Sequence, residues 1–112
     1  LDGDREAVRR LYEKALDELP IRRMRILAAA RGGNPADLVG AARALGASCT
    51  SLGVLGLAGV CRDIEDQADR ETPGVIDGCL ERLNEACRLT ESLFCATIRT
   101  LRESRSPNVS VQ

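Results

Sequence analysis

Apolar positions recur at helical spacing along nearly the whole chain. Between Asp37 and Ala68 the stretch DLVGAARALGASCTSLGVLGLAGVCRDIEDQA puts Leu38, Ala42, Leu45, Cys49 and Leu52 on one face, breaks at Gly53, and resumes through Leu57, Val60, Cys61, Ile64 and Ala68. This predicts two antiparallel helices joined by a tight turn. Upstream, Val8, Leu11, Tyr12, Ala15, Leu16 and Leu19 line a first helix that opens with Asp2 and Asp4, acidic groups suited to the positive end of a helix dipole. Pro20 removes a backbone donor, so the helix is expected either to kink there or to stop and restart, its stripe continuing through Met24, Leu27 and Ala28 to a Gly32-Gly33 stop. Asn34-Pro35 reads as an N-cap with a first-turn proline, and Thr72-Pro73 repeats the signal. Beyond it Ile76, Cys79, Leu80, Leu83, Cys87, Thr90, Phe94, Ile98 and Leu101 mark one long stripe.

Alternation of period two never lasts long enough for a strand. The expected fold is all-α, an antiparallel up-and-down four-helix bundle with either an additional N-terminal helix or a kinked first helix. One domain covers 1–104. The tail 105–112 lacks any period and is expected to be disordered.

Opposite the apolar stripe of the helix after Pro35 runs a strip nearly bare of bulky side chains: Gly40, Arg43, Gly46, Ala47 and Thr50. Gly40, Gly46, Gly56 and Gly59 all fall inside predicted helices, where an exposed glycine costs about 1 kcal/mol relative to alanine. Close helix packing explains Gly56 and Gly59. For Gly40 and Gly46, which share a face with Arg43, a partner-docking surface explains the glycine at least as well as packing does.

The central stretch resembles the histidine-containing phosphotransfer (HPt) domain of bacterial phosphorelays, whose signature runs Ala-His-x-Leu-Lys-Gly-Ser, then a Leu-Gly turn and a helix of the form Leu-x-x-x-Cys-x-x-Leu-Glu. Laid on without gaps, Ala42, Leu45 and Ser48 match the signature, Leu52 and Gly53 the turn, and Leu57, Cys61, Ile64 and Glu65 the following helix. The resemblance covers roughly Leu11 to Leu101, and such domains end in a long helix. The chemistry departs from it. Arg43 stands at the phospho-acceptor position, Gly46 where the lysine belongs, and Ala47 where the small glycine belongs, and the chain has no histidine. Relay needs a nucleophilic imidazole. A guanidinium stays protonated with delocalised lone pairs, so transfer at Arg43 is excluded on chemical grounds.

The chain has 112 residues, 29% of them charged, with a net charge of -1. That balance argues against a nucleic-acid partner, and one Phe, one Tyr and no Trp leave no platform for stacking bases. No stretch is expected to insert into a bilayer. A cytoplasmic location is expected, free or as a segment of a membrane-anchored sensor kinase. The cysteines, Cys49, Cys61, Cys79, Cys87 and Cys95, are odd in number and widely spaced. They read as small buried hydrophobes in preference to a metal site, a disulfide framework or a redox switch. No metal or cofactor is expected. With no histidine and Lys14 as the one lysine, no nucleophile-base pair is evident and an enzyme is not expected.

Two readings of Arg43 follow. In a relay complex the acceptor points into the acidic pocket of a receiver domain, and an arginine there would form charge-assisted hydrogen bonds with its carboxylates. Alternatively, Arg43 is one basic residue on a solvated helix face. Arg22, Arg23 and Arg25, with Arg9, Arg10 and Arg31 nearby, similarly suit either an acidic partner or the wet side of a helix. Asp63, Glu65, Asp66 and Asp69 read as solvated carboxylates. The reading that follows is a non-catalytic HPt-like module, monomeric, that docks a response-regulator receiver domain, a kinase or an effector. The alternative is a structural or oligomerisation bundle, such as the C-terminal segment of a hybrid sensor kinase.

Overall fold

A computed structural model describes residues 2–68, 70 and 74–103. Four helices follow in order, α1 (Asp2–Gly32), α2 (Pro35–Leu52), α3 (Leu55–Ala68) and α4 (Val75–Glu103), with no strand among the described residues. Each packs on its chain neighbours and α1 also packs on α4, which closes a four-helix bundle. The Thr72-Pro73 cap and the tail 105–112 lie outside the described residues.

Short connections enforce this order, and their chemistry is local. Asn34 caps α2, its Oδ1 accepting from the Ala36 and Asp37 amides at 2.9 and 3.3 Å, with Pro35 in the first turn. Gly53 ends α2 at φ 78°, a left-handed conformation in which glycine has no Cβ clash, and the Val54 amide returns to the Cys49 carbonyl at 2.8 Å. That turn divides the uncharged run 44–61 between two helices, and among the described residues no helix is long and apolar enough to cross a membrane.

The core gathers Leu19 and Ile26 of α1, Leu38, Ala42, Leu45 and Cys49 of α2, Leu57, Ala58, Cys61 and Ile64 of α3, and Cys79, Leu83 and Cys87 of α4. Thr90, buried on the same side of α4, donates its hydroxyl to the Ala86 carbonyl at 2.7 Å, so its polar group is satisfied within the helix.

The structure settles one expectation for α1 and corrects another. Of the two alternatives at Pro20, the stop and restart is not what forms: among the described residues α1 is one helix that continues through Pro20, with buried Leu19 and Ile26 anchoring it on both sides. After Pro20 the inward position is Ile26, fully buried, while Met24 and Ala28 are exposed. The period is disguised because Arg22 and Arg23 occupy the intervening turn. Both are half-buried, with Arg22 paired to Glu18 at 3.5 Å and Arg23 donating to Asn84 Oδ1 of α4 at 2.9 Å. Their aliphatic stems can cover apolar surface while the charged heads reach outward.

At 1.5 Å per residue, α1 and α4 run about 46 and 44 Å, against about 27 Å for α2 and 21 Å for α3. The bundle is therefore four helices thick at one end and two at the other. Tyr12 and Phe94 meet edge-to-face in the two-helix part, with ring centroids 5.3 Å apart.

Candidate functional site

Burial of Leu38, Ala42, Leu45 and Cys49 fixes how α2 is rotated. With about 100° per residue, Gly40, Arg43, Ala47 and Thr50 then fall on the side away from the core, and all four are exposed. Gly46 does not join them. It is half-buried on the flank towards α3, where an added Cβ would lie 3.2 Å from the Cys61 Cβ.

The glycines thus divide otherwise than expected. At Gly56 and Gly59 a Cβ would meet nothing within 4 Å, so close packing is not what glycine permits there; at Gly46 it is. Gly40 also has open space around it, on the exposed face. Thr50 is bonded back to its own helix, its hydroxyl donating to the Gly46 carbonyl at 2.9 Å.

Arg43 is the one charged group of that strip. Its side chain is 71% exposed, and its Nε donates to Glu65 Oε1 of α3 at 3.1 Å. This holds the guanidinium base against the α2–α3 seam. Among the described residues its two terminal nitrogens make no hydrogen bond, so a fork of N–H donors is directed to solvent. Glu65, a solvated carboxylate by its place in the sequence pattern, is instead engaged across the helix seam. The pair's signal lay in the alignment that placed Arg43 and Glu65 on facing helices.

Several other acids and bases are paired in the same way. Asp63 pairs with Arg82 across α3 and α4, Arg9 with Glu6 and Glu13 within α1, and Glu13 with Arg102 of α4 at 2.8 Å. The arginine concentration of α1 is thus spread over several sides of the helix, with Arg25 and Arg31 exposed. Burial pushes the thiols of Cys49 and Cys87 up to about 11 and that of Cys61 up to about 12. A neutral, buried thiol is a poor nucleophile and a poor metal ligand. Among the described residues no three Cys, Asp or Glu side chains gather as a metal site would require.

An open cleft of about 260 Å³ lies at the step where α2 ends, lined chiefly by Leu11, Ala15, Leu19, Leu45, Leu52 and Phe94. It does not include the Arg43 strip.

The fold and this face define an all-helical bundle that presents Arg43, paired to Glu65, beside a strip of small side chains. Comparison with protein-family models, curated proteins and solved structures found no match.

Proposed function

We propose that this chain is an HPt-like docking module of two-component signalling that binds its partner without carrying phosphate. The partner is a receiver domain, a kinase or an effector presenting carboxylates in a recess. The observation that carries the reading is Arg43, 71% exposed on α2 at the acceptor position of the HPt-like signature, braced by Glu65 of α3 and sharing its exposed strip with Gly40, Ala47 and Thr50. Small neighbours allow a partner backbone to come close, and the terminal guanidinium nitrogens supply bidentate, charge-assisted hydrogen bonds to a carboxylate. The all-α bundle supports the same reading, because it is the scaffold on which such a helix would be displayed. Relay through position 43 is excluded by guanidinium chemistry. We place the module in the cytoplasm, free or as a segment of a membrane-anchored kinase.

The test is a binding titration against receiver domains with Arg43→Glu and Ala47→Trp as probes. Loss of affinity in both supports the face. Unchanged affinity in both rejects it.

A further inference from the structure

The step in the bundle leaves an apolar face with no partner. Leu11 and Ala15 of α1, and Thr90 and Phe94 of α4, share one cleft with Leu52, the last residue of α2. Beyond that level α1 and α4 continue alone for about ten to thirteen residues, an arm of roughly 15–20 Å. The core stripe does not stop there. Val8 and Leu11 continue the stripe of Ile26, Leu19 and Ala15 but are 41% and 52% exposed; on α4 the stripe stays buried against α1 at Phe94 and Ile98, and Leu93, on its flank, is 53% exposed. Leu55, which opens α3 beside the Gly53 turn, is 70% exposed.

The geometry points to self-association: two copies of this chain pair antiparallel through their α1–α4 arms, each arm supplying the two helices that the other lacks. Stacked this way, the arm of one copy runs on in line with α2 and α3 of its partner, and its tip meets the partner's Leu55. A two-fold axis across the middle of the arm relates the copies, so the contact is closed and isologous. Val8 then lies near its own twin.

Three features favour a second copy as the occupant. The space beside each arm is two helices wide and, because α2 and α3 stop short of α1 and α4, about as long as the arm itself, so a second arm turned end for end fits it. The arm is neutral: Asp2, Asp4, Glu6 and Glu13 balance Arg5, Arg9, Arg10 and Lys14 on α1, and Glu91 and Glu103 balance Arg99 and Arg102 on α4, so two arms meet without net repulsion. Antiparallel pairing about Val8 also brings Asp4, near one tip, within one helical turn of Lys14 at the base of the other. The pairs of Arg9 and Arg102 to Glu13 lie along the α1–α4 flank and are made inside one copy.

The projected face is on the order of 400 Å² per copy, from an arm about 20 Å long and two helix diameters wide. With the turn contacts added, the two copies bury on the order of 800–1,000 Å² together, the low end where weak, transient contacts lie, so the dimer exchanges with the monomer that the HPt-like reading favours.

Sedimentation equilibrium of the whole chain, wild type against Leu11→Arg and Leu93→Arg, tests this independently of receiver binding. The wild type should rise from 12.1 kDa towards twice that mass across the micromolar range, and each variant should weaken association by roughly tenfold or more. Val8→Cys in a Cys95→Ser background should cross-link to a covalent dimer under a mild oxidant, a readout that survives if the arginine variants misfold. Asp4→Cys, whose twin lies about 12 Å away along the axis, should not. A wild type that stays at 12.1 kDa overturns the proposal. So does a dimer that the arm variants leave intact, or one that Arg43→Glu dissolves instead.

Discussion

Arg43 on α2 and Glu65 on α3 are joined by a 3.1 Å hydrogen bond from Nε to Oε1, across the seam of the two helices flanking the Gly53 turn. The contact uses one face of the guanidinium and leaves the other outward. Because the arginine side chain is 71% exposed, solvent screens most of the attraction. Arg43→Ala should therefore cost at most about 1 kcal/mol of stability in chemical denaturation, while any loss of partner binding would be larger. A loss of several kcal/mol in folding would mark the residue as structural.

The two glycines of α2 should respond in opposite directions. Gly40→Ala places its methyl in open space and removes a helix-breaking residue, so it should stabilise by about 0.5–1 kcal/mol. Gly46→Leu drives a side chain against the Cys61 Cβ, which already sits 3.2 Å from the Cβ position, and should cost about 1–3 kcal/mol. Equal responses in thermal melts would remove the assignment of Gly46 to the α2–α3 seam.

The register of α1 after Pro20 can be read by truncation. Ile26 is fully buried and Met24 is half-exposed. Ile26→Ala should cost about 2–5 kcal/mol, and Met24→Ala well under 1 kcal/mol. Urea midpoints in the reverse order would restore the register expected from the sequence.

The thiols should separate by burial. Cys49, Cys61, Cys79 and Cys87 are buried and Cys95 is exposed, so one cysteine per chain should label quickly at neutral pH and the rest only as fast as the bundle opens. Burial raises the Cys49 and Cys87 thiols from an ordinary 9.0 to about 11 and the Cys61 thiol to about 12. A raised pKa means that the unfolded chain releases these protons first. Their contribution is intact below pH 9 and is lost as pH climbs through 9 towards 11 and 12, so alkaline titration should unfold the protein over that window. Substituting Cys61 by alanine should reduce this pH sensitivity.

The helices were legible in the sequence because their stripes are long and their ends carry strong signals. Asn34-Pro35 and Gly53 mark boundaries through backbone chemistry that depends on no distant contact. Where side chains mix roles, the pattern is ambiguous. Arg22 and Arg23 hide the inward turn before Ile26, and proline at position 20 leaves a kink and a stop equally open until packing on both sides carries α1 through it.

The candidate face was legible in part. Exposure of Gly40, Arg43, Ala47 and Thr50 follows from helical rotation alone, whereas the place of Gly46 depends on how closely α3 approaches. The Arg43–Glu65 pair and the exposed side of the α1–α4 arm are tertiary facts. The sequence holds the differing stripe lengths that produce the arm, but nothing local says which helices stop first.

The most direct test of the docking role is a charge exchange, Arg43→Glu with Glu65→Arg in the same chain, titrated against a receiver domain that the wild type binds. The exchange rebuilds the ion pair across α2 and α3 with its polarity reversed, and Arg43→Glu alone should lose binding. If a cation at position 43 contacts the partner, the double variant should fold like the wild type and still fail to bind. Recovery of wild-type affinity in the double variant would contradict the account, because it would reduce Arg43 to a brace between two helices.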